Sequence, residues 1–309
     1  MMSMWFKHKL IFLFVLFIIY LTMLPGPAVS QSVAYRQVAA LQTDSIPSGP
    51  LKDAVALDLD PQGNVFVVDR SGNRLIKFSP EGRFIREVGG FGNGSEQFND
   101  PRDVFVFFAL SVYVADYNNN RILRFDNHLN YIEQLSGMTP QFELFEWPLS
   151  VVVSRQFDFF ILEGVQRSIL KINRVGEVQA TFSGVSDNLG QLVEPHQMAT
   201  NRDNRIFISD PGQQSVLIFD YLGNFLKQLQ LPHWTAPTGI SVNYQQKLVV
   251  CDPPGKTVDI LAPPFHRWTT LILQEGFGSP VDAVLREEKG RRPLLYLLTS
   301  RQCYLLELQ

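Results

Sequence analysis

Short apolar runs of alternating, β-branched and aromatic residues, each bounded by turn-forming polar residues, recur along most of the chain. The most legible is VFVVD at 65–69, followed by the turn RSGN and then RLIKF at 74–78. The same phrase returns as VYVAD at 112–116 before NRILRF, and as FFILE at 159–163 before RSILKI. It returns again as IFISD, LVVCD and LYLLT, which end at Asp210, Asp252 and Thr299. Runs of this length and period predict antiparallel strands joined by tight turns, and nothing in the pattern asks for a helix. The residues that close the six copies, Asp69, Asp116, Glu163, Asp210, Asp252 and Thr299, lie 47, 47, 47, 42 and 47 residues apart. A period of this size, with several strands per unit, predicts propeller blades. The expected fold is therefore all-β, a closed six-bladed β-propeller with four-stranded blades over 49–309.

The sixth unit reaches Gln309 directly after its third strand, whereas the segment 31–48 contains a strand-like stretch, YRQVAAL at 35–41, that resembles the outer strand FIREVG of the first unit. The reading is a linker plus a closing strand: the N-terminal stretch completes the last blade and leaves no unpaired edge at the seam. A proline stands just before the first strand of units two to six, where a missing N–H costs the ladder nothing, and Leu51 takes that place in unit one. The glycine-rich connection GGFGNGSEQFNDP at 89–101 leads into a strand rather than a helix, so it is an inter-blade crossover and not a phosphate cradle.

The first thirty residues read differently. Lys7 and Lys9 precede a 15-residue apolar run, Leu10 to Leu24, then a Pro-Gly-Pro break and the small residues Ala28 and Ser30. This is the three-part layout of a secretory signal peptide over 1–30, and the run is shorter than the about 20 residues a spanning helix wants. The expected location is extracytoplasmic, secreted or periplasmic, with a membrane tether only if the segment stays uncleaved. Its removal leaves 25 basic against 30 acidic side chains, a balance of −5, which argues against a nucleic-acid partner. Cys251 and Cys303 fall in equivalent strands at apolar positions and are read as buried, unpaired thiols.

An Asp at the end of the second strand, then Asn and Arg in the next turn, with a proline before the inner strand, resembles the NHL repeat family. The match is fullest at Asp69, Asn73 and Arg74 and at Asp116, Asn120 and Arg121, and it weakens in the later units, where Glu163 precedes Arg167 and Ser168. The resemblance implies a six-bladed propeller and a range of roles: protein- or RNA-binding platforms, extracellular interaction modules, and the catalytic body of peptidylglycine-amidating lyases. Fold does not choose among these. The acids that mark the repeat are read as structural, their carboxylates accepting N–H groups across the four-residue turn and neutralised by the following Arg.

Candidate chemistry comes from the residues that should face the central axis. Two residues after each proline position stand Asp53, Asp103, Ser150, Gln197, Gly239 and Asp282, and one residue before these stand Arg102 and His196. Asp282, Asp53 and Asp103 are expected to cluster at the channel mouth with His196 opposite. That constellation could bind a ligand or, in the alternative reading, hold Ca²⁺ or Zn²⁺ on the axis for a metal-assisted lyase or hydrolase. The lyase reading needs several axial histidines, and His128, His233 and His266 fall elsewhere. No HExxH, CxxC or GxSxG pattern supports other enzyme classes. Aromatic residues in crossover segments, Phe142, Phe145, Trp147, Trp234, Phe265 and Trp268, suit contacts to a partner. The favoured reading is thus a monomeric, non-enzymatic platform without a cofactor, binding a protein or small ligand through one face by Asp53, Arg102, Asp103, His196, Asp282, Trp147 and Trp234.

Overall fold

The computed structural model describes residues 29–137, 144–183 and 190–309. They form six antiparallel sheets in a ring, with no secondary structure besides strands and three-residue 3₁₀ turns. In blade one the strands Ala54–Leu59, Val65–Asp69, Arg74–Phe78 and Phe84–Gly89 are hydrogen-bonded in that order from axis to rim. Blades two to five repeat the order, starting from inner strands Pro101–Phe107, Pro148–Val153, Met198–Thr200 and Ile240–Val242. Blade six takes Asp282–Arg286, Leu294–Leu298 and Cys303–Leu308, and Tyr35–Ala40 lies antiparallel on its outer edge with Tyr35 opposite Leu308 and Ala40 opposite Tyr304. Blade five carries a fifth strand that the sequence pattern does not announce, Val29–Ser32, parallel to Arg267–Ile272. Residues 1–28 of the signal-peptide reading, and Phe142 of the aromatic set, lie outside the described residues.

The second and third strands of each blade are apolar on both faces because each blade is covered on both sides by its neighbours. Val65, Phe66, Val67 and Val68 are all fully buried. The core accordingly divides into six clusters, one at each seam: Phe66, Val68 and Leu75 of blade one meet Val112, Val114 and Leu123 of blade two, and around the ring Tyr296, Leu298 and Leu305 of blade six meet Val65, Val67 and Ile76 of blade one. Each such side chain contributes about 1.5–3 kcal/mol by leaving water. Cys251 and Cys303 are buried in this core as free thiols, with burial raising both.

The repeat signature has a local cause. The last residue of the turn between second and third strands has left-handed backbone in blades one to five, at Asn73, Asn120, Arg167, Gln214 and Lys256. Asn tolerates that region better than other residues with a β-carbon. The preceding acid caps its turn where the sequence suggests, Glu163 accepting the N–H groups of Val165 and Gln166 and Asp210 that of Gln213, and it also reaches a second segment. Asp69 accepts the N–H groups of Lys52 and Asp53, Asp210 those of Val193 and Glu194, and Asp252 those of Thr235 and Ala236. These donors belong to the incoming crossover, 16 or 17 residues earlier, so the acid fastens each blade's inner-strand start to its second strand. Because strands alternate in direction, the inner-strand starts, crossovers and second turns share one face of the ring, here called the front. The first and third turns share the back.

Candidate functional site

The inner strands approach one another at the axis, where polar side chains of one blade bond to the backbone of the next. Asp103 Oδ2 accepts the N–H of Val151 at 3.2 Å, Ser150 Oγ that of Met198 at 2.9 Å, Gln197 Oε1 that of Ile240 at 2.8 Å and Asp282 Oδ2 that of Leu57 at 2.9 Å. Blade one has no polar side chain at this level, and Asp58, lower on the same strand, accepts the N–H of Val106 at 2.7 Å instead. At Gly239 of blade five an added β-carbon would stand 2.3 Å from the Val281 carbonyl, so only glycine fits, and Ser241 Oγ donates to the Ala283 carbonyl at 2.7 Å. Every seam of the ring is thus stitched near the axis.

Within this girdle Ser150 Oγ donates to Asp103 Oδ2 at 2.5 Å, and Gln197 Nε2 reaches Asp103 Oδ1 at 3.0 Å and Asp282 Oδ2 at 3.3 Å. Asp103 and Asp282 do meet, as their spacing predicts, but buried beneath the front face and through an amide rather than around an open cavity. Asp53 does not join them. The strand register puts Ala56, opposite Val68, level with Asp103, opposite Ala115, so the proline-like place in blade one is Ala54 and not Leu51. Asp53 therefore sits above the girdle at the mouth, paired with Arg70 at 2.5 Å. Among the described residues no group of three His, Cys, Asp or Glu is placed to hold a metal ion. The donors proposed for axial Ca²⁺ or Zn²⁺ do not fit one, since Asp53 is spent on Arg70 and both buried acids on N–H, O–H and amide donors.

Burial pushes Asp58 up to about 7 against its two N–H donors, with the charges of Asp103 and Asp60 adding to the rise. Burial likewise pushes Asp103 up to about 6 and Asp282 well above the carboxylate range. His196 moves the other way, to about 4, through crowding by surrounding protein and then the charges of Arg102 and Arg70, with the Thr238 backbone opposing. Its residue surface remains open to solvent, so its energetic share is smaller than that of the enclosed acids. A carboxylate whose pKa is raised by folding stabilises the fold below its unfolded value near 4, and that stability is lost as pH rises through the folded value. His196, lowered by folding, acts oppositely and only between about pH 4 and 6.5. Thermal unfolding at fixed ionic strength is therefore expected to show the midpoint falling by about 5 °C from pH 5.5 to pH 8. A midpoint that rises across that interval would mean the axial acids are ionised without cost.

Above the girdle the front face carries an arc of side chains. Asp53 pairs with Arg70, Arg70 lies 4.0 Å from Asp100, and Asp100 holds Arg102 at 2.6 Å. The Arg102 guanidinium lies over the Tyr117 ring at 4.4 Å, and that ring stacks on Trp147 with centroids 5.9 Å apart. The repeat turns position both ends of this arc: Asn73 Oδ1 accepts the N–H of Asp100, and Asn120 Oδ1 that of Trp147, at 3.0 and 2.8 Å. Asp100 and Trp147 both have left-handed backbone, φ 60° and 47°, which is uncommon for residues with a β-carbon and costs on the order of 1–2 kcal/mol each. Trp147 is 46 % exposed, whereas Trp234 is 4 % exposed and donates its indole N–H to Asp259. Trp234 is thus a seam residue and no surface anchor, as are buried Phe145 and Phe265. Sequence reading passed over Arg70, Asp100 and Tyr117. Arg70 and Tyr117 directly follow the marker acids Asp69 and Asp116, and Asp100 directly precedes Pro101, so the repeat alignment carried the signal.

Comparison with known proteins supports the fold. A family model described as a 6-bladed beta-propeller, DUF5128, matches residues 56–137. No curated protein matches the chain. Among solved structures, a catalytically inactive variant of virginiamycin B lyase from Staphylococcus aureus with quinupristin is 11 % identical, with 90 % of this chain and 100 % of that one covered and a TM-score of 0.58. A streptogramin B lyase is 12 % identical, covering 90 % and 98 %, at a TM-score of 0.62. A gluconolactonase from Xanthomonas campestris is 14 % identical, covering 90 % and 100 %, also at 0.62. This chain is a six-bladed β-propeller. At such identities the likeness extends to architecture alone.

Proposed function

We propose that the protein is an exported, non-enzymatic interaction platform of the NHL type, which binds a protein partner on its front face through Trp147, Tyr117 and Arg102. The observation that carries this reading is Trp147: a bulky aromatic kept in a strained backbone conformation, fastened by Asn120, stacked on one side and open on the other. A core role would bury the indole, and a neutral surface position would not retain the strain. Exposed Trp, Tyr and Arg in one fixed stack are the residue types that dominate binding energy at interfaces. Export follows from the signal-like segment over 1–30.

An enzymatic reading draws on the lyases and the gluconolactonase of similar architecture, together with His196 at the mouth. It is the weaker one. An imidazole with a pKa near 4 is neutral at physiological pH and a poor base, and the carboxylates nearby are committed to the ring. The test is affinity capture from the exported fraction on immobilised protein, with wild type, Trp147→Ala and Arg102→Ala compared side by side. The expected result is a species held by wild type and weakened about thirtyfold or more by Trp147→Ala, the scale of an aromatic hot spot. Equal capture by all three proteins, or none, overturns the proposal.

A further inference from the structure

The back face holds a second site at the seam between blades four and five. A cavity of about 460 Å³ is lined by the first turn of blade four (Asn201, Asp203, Arg205), by Lys227, and by Gln246. Its apolar wall is Ile218, Leu226, Pro263, Pro264 and Phe265. That volume lies in the range of pockets that enclose small ligands.

Two features of the lining point to a ligand of definite chemistry. Arg205 and Lys227 carry two positive charges into one pocket, and among the described residues neither has a carboxylate within 4.0 Å, although Asp203 sits on the same turn. Among the described residues the Lys227 ammonium donates to the Pro264 carbonyl at 3.0 Å and lies 5.2 Å from the centre of the Phe265 ring. Burial first, and then the charge of Arg205, hold it below the ordinary lysine range, so each cation raises the cost of the other. An anion between them would remove the repulsion. Leu226 and the two prolines, all exposed, offer an apolar surface beside these groups.

We propose that this cavity binds a small organic anion, a carboxylate or phosphate on an apolar body. The anion lies between Arg205 and Lys227, and the apolar body covers the exposed Leu226 and Pro264. The site faces away from the Trp147 arc, so ligand and front-face partner bind without competing for surface.

The test uses 3-phenyllactate as a probe that carries both features, with methyl 3-phenyllactate lacking the charge. Calorimetry or protein-observed NMR on the full chain is expected to show saturable binding of phenyllactate, weakened about tenfold by Arg205→Gln and by Lys227→Met. The ester is expected to lose at least as much. Both side chains are partly exposed, so an unchanged unfolding midpoint separates loss of the site from loss of the fold. Two results overturn the proposal: no saturable binding of phenyllactate at about 5 mM, or binding that is the same in wild type and both variants.

Discussion

Replacing Gln197 with leucine is expected to destabilise the ring by about 4 kcal/mol, lowering the unfolding midpoint by roughly 8 °C. The side chain is nearly isosteric, so the loss is one of bonding. Ile240 N–H loses its acceptor, and Asp103 and Asp282 each lose the amide that reaches them from across the axis. An unpaired buried N–H alone costs about 1–3 kcal/mol, and the two acids add the cost of a thinner donor set. Gln197→Glu separates this account from a packing effect. Glutamate can still accept from Ile240, but it cannot donate, and it places a third carboxyl beside two others whose protons are already held tightly. Its destabilisation should deepen steeply from pH 5 to pH 8, whereas that of Gln197→Leu should vary less. If both variants unfold within about 1 °C of wild type at pH 8, the girdle is not what joins the blades.

How far the sequence exposes this arrangement depends on which physical constraint repeats. The blades are legible because every second strand must be apolar on both faces and five of the six end in an acid, giving the period from Asp69 to Thr299. The axial layer is half legible. Counting from the proline finds Asp103, Ser150, Gln197, Gly239 and Asp282, five residues that do meet at the axis. It fails in blade one, which has no proline to count from, and puts Asp53 where the register has Ala56. What these residues do is not visible in their types: two acids and an amide at an axis read equally as a ligand site or as stitching, and the partners that decide it are backbone N–H groups of the next blade. The front arc is a different case. Arg70, Asp100 and Tyr117 come from separate turns, and only Asn73 and Asn120 link those turns to the following crossover. Trp234 misleads because an aromatic in a crossover can turn outward, as Trp147 does, or fill a seam and find a buried acceptor such as Asp259.

Arg74→Met is expected to cost about 3–5 kcal/mol, with a midpoint lower by roughly 6–10 °C. Arg74 is nearly buried against fully buried Asp69, which it contacts at 2.9 and 2.7 Å, and it also reaches the Pro50 carbonyl, Ser48 and Glu87. It therefore binds three segments of blade one to each other: the chain leading into the inner strand, the end of the second strand and the outer strand. Removing the guanidinium leaves Asp69 its two N–H donors but takes away its counter-charge. Blades four and five manage without this arginine, since Ser215 and Thr257 stand opposite Asp210 and Asp252. The contrast yields a control. Thr257→Val, at a buried hydroxyl without a partner among the described residues, should change stability by less than about 1 kcal/mol or raise it. If Arg74→Met is as mild as Thr257→Val, the Asp–Arg pair of the repeat signature is ornament on a ring held by apolar seams alone; a large gap between the two assigns the pair to fastening the crossover that carries Asp53 to the mouth.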